Sequence, residues 1–426
     1  MTKINVLVFP AEGNNAVELH NALATCVNIK LFGATSVKRH GRYIYANLIE
    51  DIPNISDNRF IDEFNSVLDA NAIDVVFPTH DSVALYLAKN RSKIRSKLVL
   101  GSLETAEICR SKIKTYELFQ NESFMPKRVY EFSDAENLPL FSKPDEGEGS
   151  KGACKINTVE ELKRIDFSNH LITEYLPGRE YTIDCFTNYN GELQYFSVRS
   201  RDRLSAGVSV SGVTIKELEP FRTVANIINS KLNFIGLWYF QMREDNFGNP
   251  KLMEISTRCA GTMCHTRARG INLPLLSVYT VMGYEVSCQD NDYVVEMDRA
   301  LIGRYNISYI YDNVYIDFDD TITHNGTVNT EVIKYLFQCK NNKKRIILLT
   351  RHGNDILRSL NKFCIHENMF DEIIQIMDGK CKSEYINPEK SIFIDNAYNE
   401  RADVAKVHNI PVFDVDQVEF LIDWRL

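Results

Sequence analysis

Asp317 and Asp319 flank Phe318 at the end of an apolar run, in the stretch VYIDFDDTIT from Val314 to Thr323. Two carboxylates so spaced, with Thr321 close behind, suit attack on a phosphate. Later segments supply what such chemistry needs. KRIILLTR carries Thr350 to the end of a second apolar run, GKCKSEYI offers Lys380 and Lys382, and SIFIDNAYNER ends a third run at Asp395. If these runs are parallel strands, their C-terminal ends converge at one sheet edge. Two carboxylates then bind Mg2+, one attacks phosphorus, and a lysine and a threonine hold the phosphoryl oxygens. The plainer reading, that Asp317, Asp319 and Asp320 only cap a turn, leaves the recurring strand-end residues unexplained.

A second set lies in the middle of the chain. PLFSKPDEGEGSKGACKI places Lys143 at a strand end before a turn containing Gly147, Gly149 and Gly152, with Ser150 and Lys151 as phosphate-facing donors. A flexible hairpin is the equally simple alternative, and Asp145, Glu146 and Glu148 would repel a triphosphate. LITEYLPGREYTIDCF then brings Glu174 and Glu180. In the hairpin GLWYFQMREDNFGNPKLMEISTR, Gln241 lies on one strand, and period two puts Glu254, Ser256 and Arg258 on one face of the next. Carboxylate oxygens near a basic residue suit Mg2+ that bridges phosphate oxygens. Singly, each is an ordinary solvated strand carboxylate.

The elements that must position these groups fall into three stretches. Residues 1–105 alternate short buried strands (INVLVFP, NIKLFGA, DVVFPT, KLVLGS) with amphipathic helices (NAVELHNAL, RFIDEFNSVLDANA), which implies a parallel α/β sheet. The first turn, FPAEGNNAVELH, lacks GxGxxG and argues against a dinucleotide site. Thr79, His80 and Asp81 follow a strand and form either a ligand loop or a helix cap. Residues 106–308 carry longer alternating strands of antiparallel α+β type, and residues 309–426 return to short β-α alternation. The last boundary is expected within Asn306–Asn313. A chain of 426 residues is long enough for three such domains.

Composition excludes several classes. A net charge of −8 with no basic block speaks against nucleic acid as a main partner. No apolar run approaches the roughly 18 residues that span a bilayer, so no membrane partner is expected. The start of the chain shows no basic leader or cleavage site. Ten scattered cysteines without a CxxC pair read as reduced thiols, and with these features point to a cytoplasmic protein.

In this order, the first two stretches resemble the ATP-grasp superfamily, especially its branch similar to the carbamoyl-phosphate synthase large subunit. The resemblance covers about residues 1–305 and is most specific in GLWYFQ…LMEISTRCAG…GINLP. It implies a pre-ATP-grasp α/β domain followed by an ATP-grasp domain, with ATP and Mg2+ as cofactors. Lys112 and Lys143 then hold the nucleotide phosphates, under a closing loop from Gly147 to Gly152 that includes Gly149, Ser150 and Lys151. Glu174 matches the hinge position beside adenine, and Glu180 the ribose-binding acid. Gln241 and Glu254 match metal-face positions, and Arg258 the residue that steadies the reacting phosphate. Ser256 departs from the family's usual asparagine and shortens one metal contact. The implied chemistry is ligation: a carboxylate attacks the γ-phosphate of ATP, and an amine captures the acyl phosphate.

Residues 312–426 resemble the haloacid dehalogenase (HAD) phosphohydrolase superfamily, with a Rossmann-like α/β fold. By that resemblance Asp317 is the nucleophile and Asp319 the general acid, both also at the metal. Thr350 matches the second motif, Lys382 the motif lysine with Lys380 as runner-up, and Asp395 a metal ligand. Asn396 replaces a frequent second aspartate, which Glu400 or Asp403 would offset if they reach the site. The intervals between motifs are too short for a sizeable cap, so the site is expected to be capless.

Together these imply a bifunctional carboxylate–amine ligase and phosphatase. Its partners would be ATP, a small carboxylate, an amine and a phosphorylated small molecule, for instance in building a cell-surface glycan precursor or another small metabolite. Ligases of this type are commonly dimers or larger, so a homodimer is in keeping. The alternatives are a phosphatase that proofreads a side product, a phosphatase with a nucleotide-sensing module, and a ligase with a scaffold C-terminal domain. Arg201, Arg203, Arg267 and Arg269 are either acid-binding or surface ion pairs. His265 reads as a packed residue, and RDRLSAGVSVSG as a mobile substrate loop.

Overall fold

The computed structural model describes residues 3–135, 137–147, 149, 151–205 and 207–425. It divides into two compact units, 1–301 and 302–425. The division precedes the expected Asn306–Asn313 stretch. Residues 299–312 form no strand or helix, and Ile307 and Tyr311 already pack into the second unit's core.

The first unit opens with five strands, β1 (Ile4–Phe9), β2 (Ile29–Ala34), β3 (Leu48–Ile49), β4 (Val75–Pro78) and β5 (Lys97–Leu98). They pair in parallel in the order β3-β2-β1-β4-β5. Continuous apolar runs such as Val6–Phe9 are buried because helices cover both faces. Helix α1 (Gly13–Leu23) follows β1, α2 (Phe60–Ala70) precedes β4, and α3 (Asp81–Lys89) follows β4. The chain reverses its winding between β1 and β4, the position where open α/β sheets hold ligands. The starts of α1 and α3 therefore lie at that crevice.

Four short antiparallel strands follow: β6 (Arg128–Val129), β7 (Leu140–Pro144), β8 (Cys154–Ile156) and β9 (His170–Glu174), in the order β6-β9-β7-β8. The larger sheet comprises β10 (Glu180–Thr187), β11 (Leu193–Ser200), β12 (Arg203–Ser205), β13 (Val208–Ile215), β14 (Gly236–Glu244), β15 (Pro250–Ser256) and β16 (Glu296–Asp298). Its order is β12-β13-β11-β10-β14-β15, with β16 beside β13. The stretch read as a mobile loop is thus the β12–β13 hairpin, apart from Ala206, which lies outside the described residues. Backbone pairing of β13 with both β12 and β16 holds it. One face of the sheet packs Ile183, Cys185, Trp238, Phe240 and Met242 against Phe221, Val224 and Ile228 of the helix Phe221–Lys231. The other face carries Thr182, Asp184, Arg199 and Gln241, and beside them Phe186, Leu237 and Tyr239, which pack into the core shared with the N-terminal sheet.

The second unit has a parallel sheet of β17 (Asn313–Ile316), β20 (Arg345–Thr350), β21 (Glu372–Gln375), β22 (Ser391–Ile394) and β23 (Val412–Phe413), in the order β21-β20-β17-β22-β23. Between β17 and β20 stand only the small hairpin β18 (Thr323–His324) and β19 (Thr327–Val328) and the helix Thr330–Asn341. Among the described residues, no helix is long and apolar enough to cross a membrane. All ten cysteines are free.

Candidate functional site

Strand register builds the first unit's site row by row. Thr182 on β10 lies opposite both Arg199 on β11 and Gln241 on β14, and Gln241 lies opposite Glu254 on β15. Directly paired residues share a face, so Arg199, Thr182, Gln241 and Glu254 form one row. All four line a cavity of about 490 Å3. Lys112, Lys143, Gly149, Lys151, Glu180 and Arg258 line it too. Glu174 and Ser256 are outside that lining, and Ser150 lies outside the described residues.

Lys143 sits with Glu254, Lys112, Glu180 and Arg243 around it, and burial pushes its ammonium down to about 8. Lys112 donates to the Asp145 and Gly147 carbonyls, each at 3.2 Å, which ties it to the glycine turn. In that turn Gly152 has φ +75°, and a Cβ there would stand 2.8 Å from Pro144 Cγ, so glycine is required. Glu180 pairs with Arg201 Nε at 2.6 Å. The Glu174 carboxylate accepts from the Lys127 N–H at 2.8 Å, at the β6–β9 edge.

Arg258 is held from the N-terminal sheet. Its Nη2 donates to Asp81 Oδ2 at 2.8 Å, and the Ser256 hydroxyl donates to Asp81 Oδ1 at 2.8 Å. Burial pushes the Asp81 carboxyl up, but the Arg258 guanidinium and these bonds outweigh it and hold the group below the usual range. The Ser256 hydroxyl is thus engaged by Asp81, in keeping with a weakened metal contact. Among the described residues, no cluster of three or more His, Cys, Asp or Glu could hold a metal by itself. Glu254 and Gln241 present hard oxygen donors side by side, which fits Mg2+ carried in with phosphate oxygens.

The four arginines left open by the sequence resolve into ion pairs. Arg203 pairs with Asp298, Arg267 with Glu18, Arg269 with Asp290 and Arg201 with Glu180; only Arg201 also lines the cavity. His265 is buried, its ring nitrogens 3.0 and 3.2 Å from the Thr262 and Gly212 carbonyls.

In the second unit, β17 and β22 end at one level, Ile316 pairing with Ile394, while β20 runs from Leu348, the other partner of Ile316, two residues further to Thr350. The next residues bring Asp317 and Asp395 together, and Lys382 joins them. Its Nζ lies 2.7 Å from Asp317 Oδ1 and 2.6 Å from Asp395 Oδ2, all three side chains being less than a tenth exposed. Burial pushes Asp317 up to about 6, against the pull of Lys382 and with Asp395 adding to the rise. Asp395 is also raised by burial. Thr350 is fully buried at its strand end, its hydroxyl oxygen accepting from the His352 N–H at 3.1 Å. Lys380 instead stands exposed, 3.7 Å from Asp378. Asp319 is half-exposed and meets His352 Nδ1 at 2.9 Å, while His352 Nε2 lies 2.7 Å from Ser359 Oγ. Glu400 is taken up by Arg351 and Asp403 by the Ser383 hydroxyl, so neither stands in for Asn396.

Arg199 and His352 were not identified as site residues from the sequence, and Asp81 was left open between a ligand loop and a helix cap. His352 carried a faint signal, two residues beyond Thr350. Asp81 stood at a strand-to-helix turn, where capping was an equally good reading.

Residues 109–209 match the family model described as ATP-grasp domain, and residues 166–304 the one described as ATP-grasp in the biosynthetic pathway with Ter operon. The first unit has an ATP-grasp fold. Among solved structures, it is similar to the biotin carboxylase domain of Hydrogenobacter thermophilus 2-oxoglutarate carboxylase, in complex with MgADP, ADP and bicarbonate: 13% identity and TM-score 0.56 over 68% of this chain and 72% of that one. N5-carboxyaminoimidazole synthetase from Staphylococcus aureus, complexed with ADP, gives 14% and 0.56 over 68% and 80%. An L-amino acid ligase from Bacillus licheniformis gives 17% and 0.52 over 66% and 75%. At these identities the likeness is one of fold. No curated protein matches this sequence.

Proposed function

We propose that the first unit is an ATP- and Mg2+-dependent carboxylate–amine ligase and the second a phosphatase. Within the first unit, residues 1–105 form the pre-ATP-grasp domain and 106–301 the ATP-grasp domain, and the second unit, from residue 302, is a capless HAD-like domain. The observation that carries the ligase reading is the row Thr182–Gln241–Glu254 facing Lys112, Lys143 and Arg258 in one cavity. Lys112, Lys143 and Lys151 neutralise the triphosphate beside Gly149, with Ser150 as a further donor; Glu180 holds the ribose, and the hinge at Glu174 lies beside adenine. Mg2+ held by Glu254 and Gln241 supplies charge neutralisation at the phosphates. The substrate carboxylate attacks the γ-phosphorus and ADP leaves. An amine then attacks the acyl carbon, phosphate leaves, and the amine proton passes to solvent. Arg258, fixed by Asp81, stabilises the transferring phosphoryl group.

In the second unit Asp317 attacks phosphorus, and Asp319 protonates the leaving alcohol. Asp319 then takes a proton from water as it cleaves the aspartyl phosphate. Lys382 and Thr350 bind phosphoryl oxygens; Asp317 and Asp395 would hold Mg2+ only together with phosphate oxygens, since the Asp319 carboxylate is turned to His352 and the three do not form a metal cluster by themselves. The carrying observation is the Lys382 bridge between Asp317 and Asp395.

Two separate knock-outs test the assignment. Glu254→Gln should abolish ADP formation and leave hydrolysis of p-nitrophenyl phosphate intact; Asp317→Asn should do the reverse. One variant that silences both reactions, or neither, contradicts it. Engagement of Ser256 by Asp81 favours, as a second reading, a nucleotide-sensing module. That reading predicts MgATP binding without turnover on any acid and amine.

A further inference from the structure

Arg199 has no part in the steps above, yet it is among the largest fully buried side chains. Its Nε and Nη2 donate to Asp184 at 2.9 and 3.1 Å. Its Nη1 is buried without a partner among the described residues, and the residue lines the cavity. A buried guanidinium nitrogen left unbonded is costly, which marks a place built for an acceptor.

The first turn of α1 reaches the same cavity through Asn14 and Asn15. Among the described residues this eleven-residue helix has no side-chain cap from Glu12, and its first N–H, of Gly13, donates to His40 Nε2 at 3.1 Å, so the Asn14 and Asn15 N–H groups are the ones that face a ligand. Glu12, just ahead of it, turns its carboxylate to the Gly41 N–H and to His40. Gly261 closes the cradle: a Cβ there would stand 3.1 Å from Asn14 Cβ and 3.1 Å from Asn15 Oδ1. Nearby charges nearly cancel, with the Glu12 carboxylate ahead of the helix set against Arg299. Asp184 and Glu18 are matched by Arg199 and Arg267, while Arg299, whose Nη2 donates to the Gly261 carbonyl at 2.6 Å, adds a further cation.

We propose that Arg199, the α1 N-terminus and the Gly261 backbone form an anion subsite that holds a carboxylate of the ligase substrate. The assignment rests on the ligase reading. It makes the acid substrate one with a second, unreacting carboxylate, gripped by Arg199 Nη1 on strand β11 and by helix N–H groups, while its other carboxylate reaches the γ-phosphate. Glu254 stands three strands away, roughly 14 Å at about 4.8 Å per strand. The acid subsite and the nucleotide site are therefore different ends of one cavity.

The test is calorimetry on the full chain. MgADP is titrated first; acetate, succinate, L-glutamate and inorganic phosphate then follow, each separately. Asn14→Asp places a carboxylate at the cradle while favouring the helix electrostatically, so folding is preserved. Arg199→Lys keeps a cation for Asp184 but loses the guanidinium fork. At least one probe should bind the unaltered protein, and each variant should weaken it about tenfold or more, with MgADP affinity unchanged. Equal anion affinity in both variants, or binding of none of the probes, would overturn the subsite. Failure of MgADP to bind beside Arg199-dependent anion binding would sink the ligase reading and leave the subsite standing.

Discussion

Asp317→Asn should stabilise the second unit near neutral pH while removing its presumed nucleophile. In the folded protein Asp317 is buried beside Asp395, and its carboxyl is pushed up to about 6. The ordinary value is about 3.9, and each unit of difference is worth about 1.4 kcal/mol. Ionised Asp317 therefore costs the folded state at most about 3 kcal/mol. A carboxyl whose pKa is raised on folding binds its proton more tightly in the folded protein. Stability then falls as pH rises from about 4 to about 6 and stays lowered above. The amide carries no such cost, so the variant should gain about 1–3 kcal/mol at pH 7.5 and nothing near pH 4. The chain has two tryptophans, Trp238 in the first unit and Trp424 in the second. In a Trp238→Phe background, Trp424 fluorescence during urea unfolding reports the second unit alone. A chelator keeps divalent cations from favouring the ionised carboxylate. A loss of stability at pH 7.5, or a gain that does not change with pH, would refute the reasoning.

Lys382→Met should cost about 3–5 kcal/mol in the same assay, because it leaves two buried carboxylates facing each other; adding Asp317→Asn should recover part of it. Lys380→Met should change stability by less than about 0.5 kcal/mol and, on the proposed assignment, leave hydrolysis of p-nitrophenyl phosphate unaltered. Asp81→Asn should destabilise by about 2–3 kcal/mol and lower kcat for ADP formation more than it raises KM for ATP, since Arg258 loses the carboxylate that orients it. MgADP affinity should weaken from about pH 7 to about pH 9, as Lys143 loses its proton near 8. Calorimetry in buffers of different ionisation enthalpy should show proton uptake there that is absent in Lys143→Met.

Strand ends were legible because apolar runs with polar termini announce themselves. VYIDFD, KRIILLT and SIFIDN became three neighbouring strands of one parallel sheet, which brought Asp317 and Asp395 together. Lys380 and Lys382 could not be told apart until the chain's path turned one inward and the other to Asp378. Pairings across the sequence were illegible for a different reason. Asp81 and Arg258 are 177 residues apart, and only the packing of α3 against the end of β15 brings them together. Arg199 reaches the cavity through the β10–β11 register, and a slip of one residue would have sent it to the opposite face. The hairpin in RDRLSAGVSVSG was missed because its small residues describe a loop equally well; pairing of β13 with β11 and with β16, far along the chain, fixes it as sheet.

The most direct test of the two-enzyme account uses Asp317→Asn protein with ATP, Mg2+ and pooled carboxylates and amines, with the nucleotides separated by chromatography. The account predicts ADP, formed only when an acid and an amine are both present and lost when Glu254→Gln is added. AMP as the product, or tight ATP binding without turnover on any pool, would contradict it.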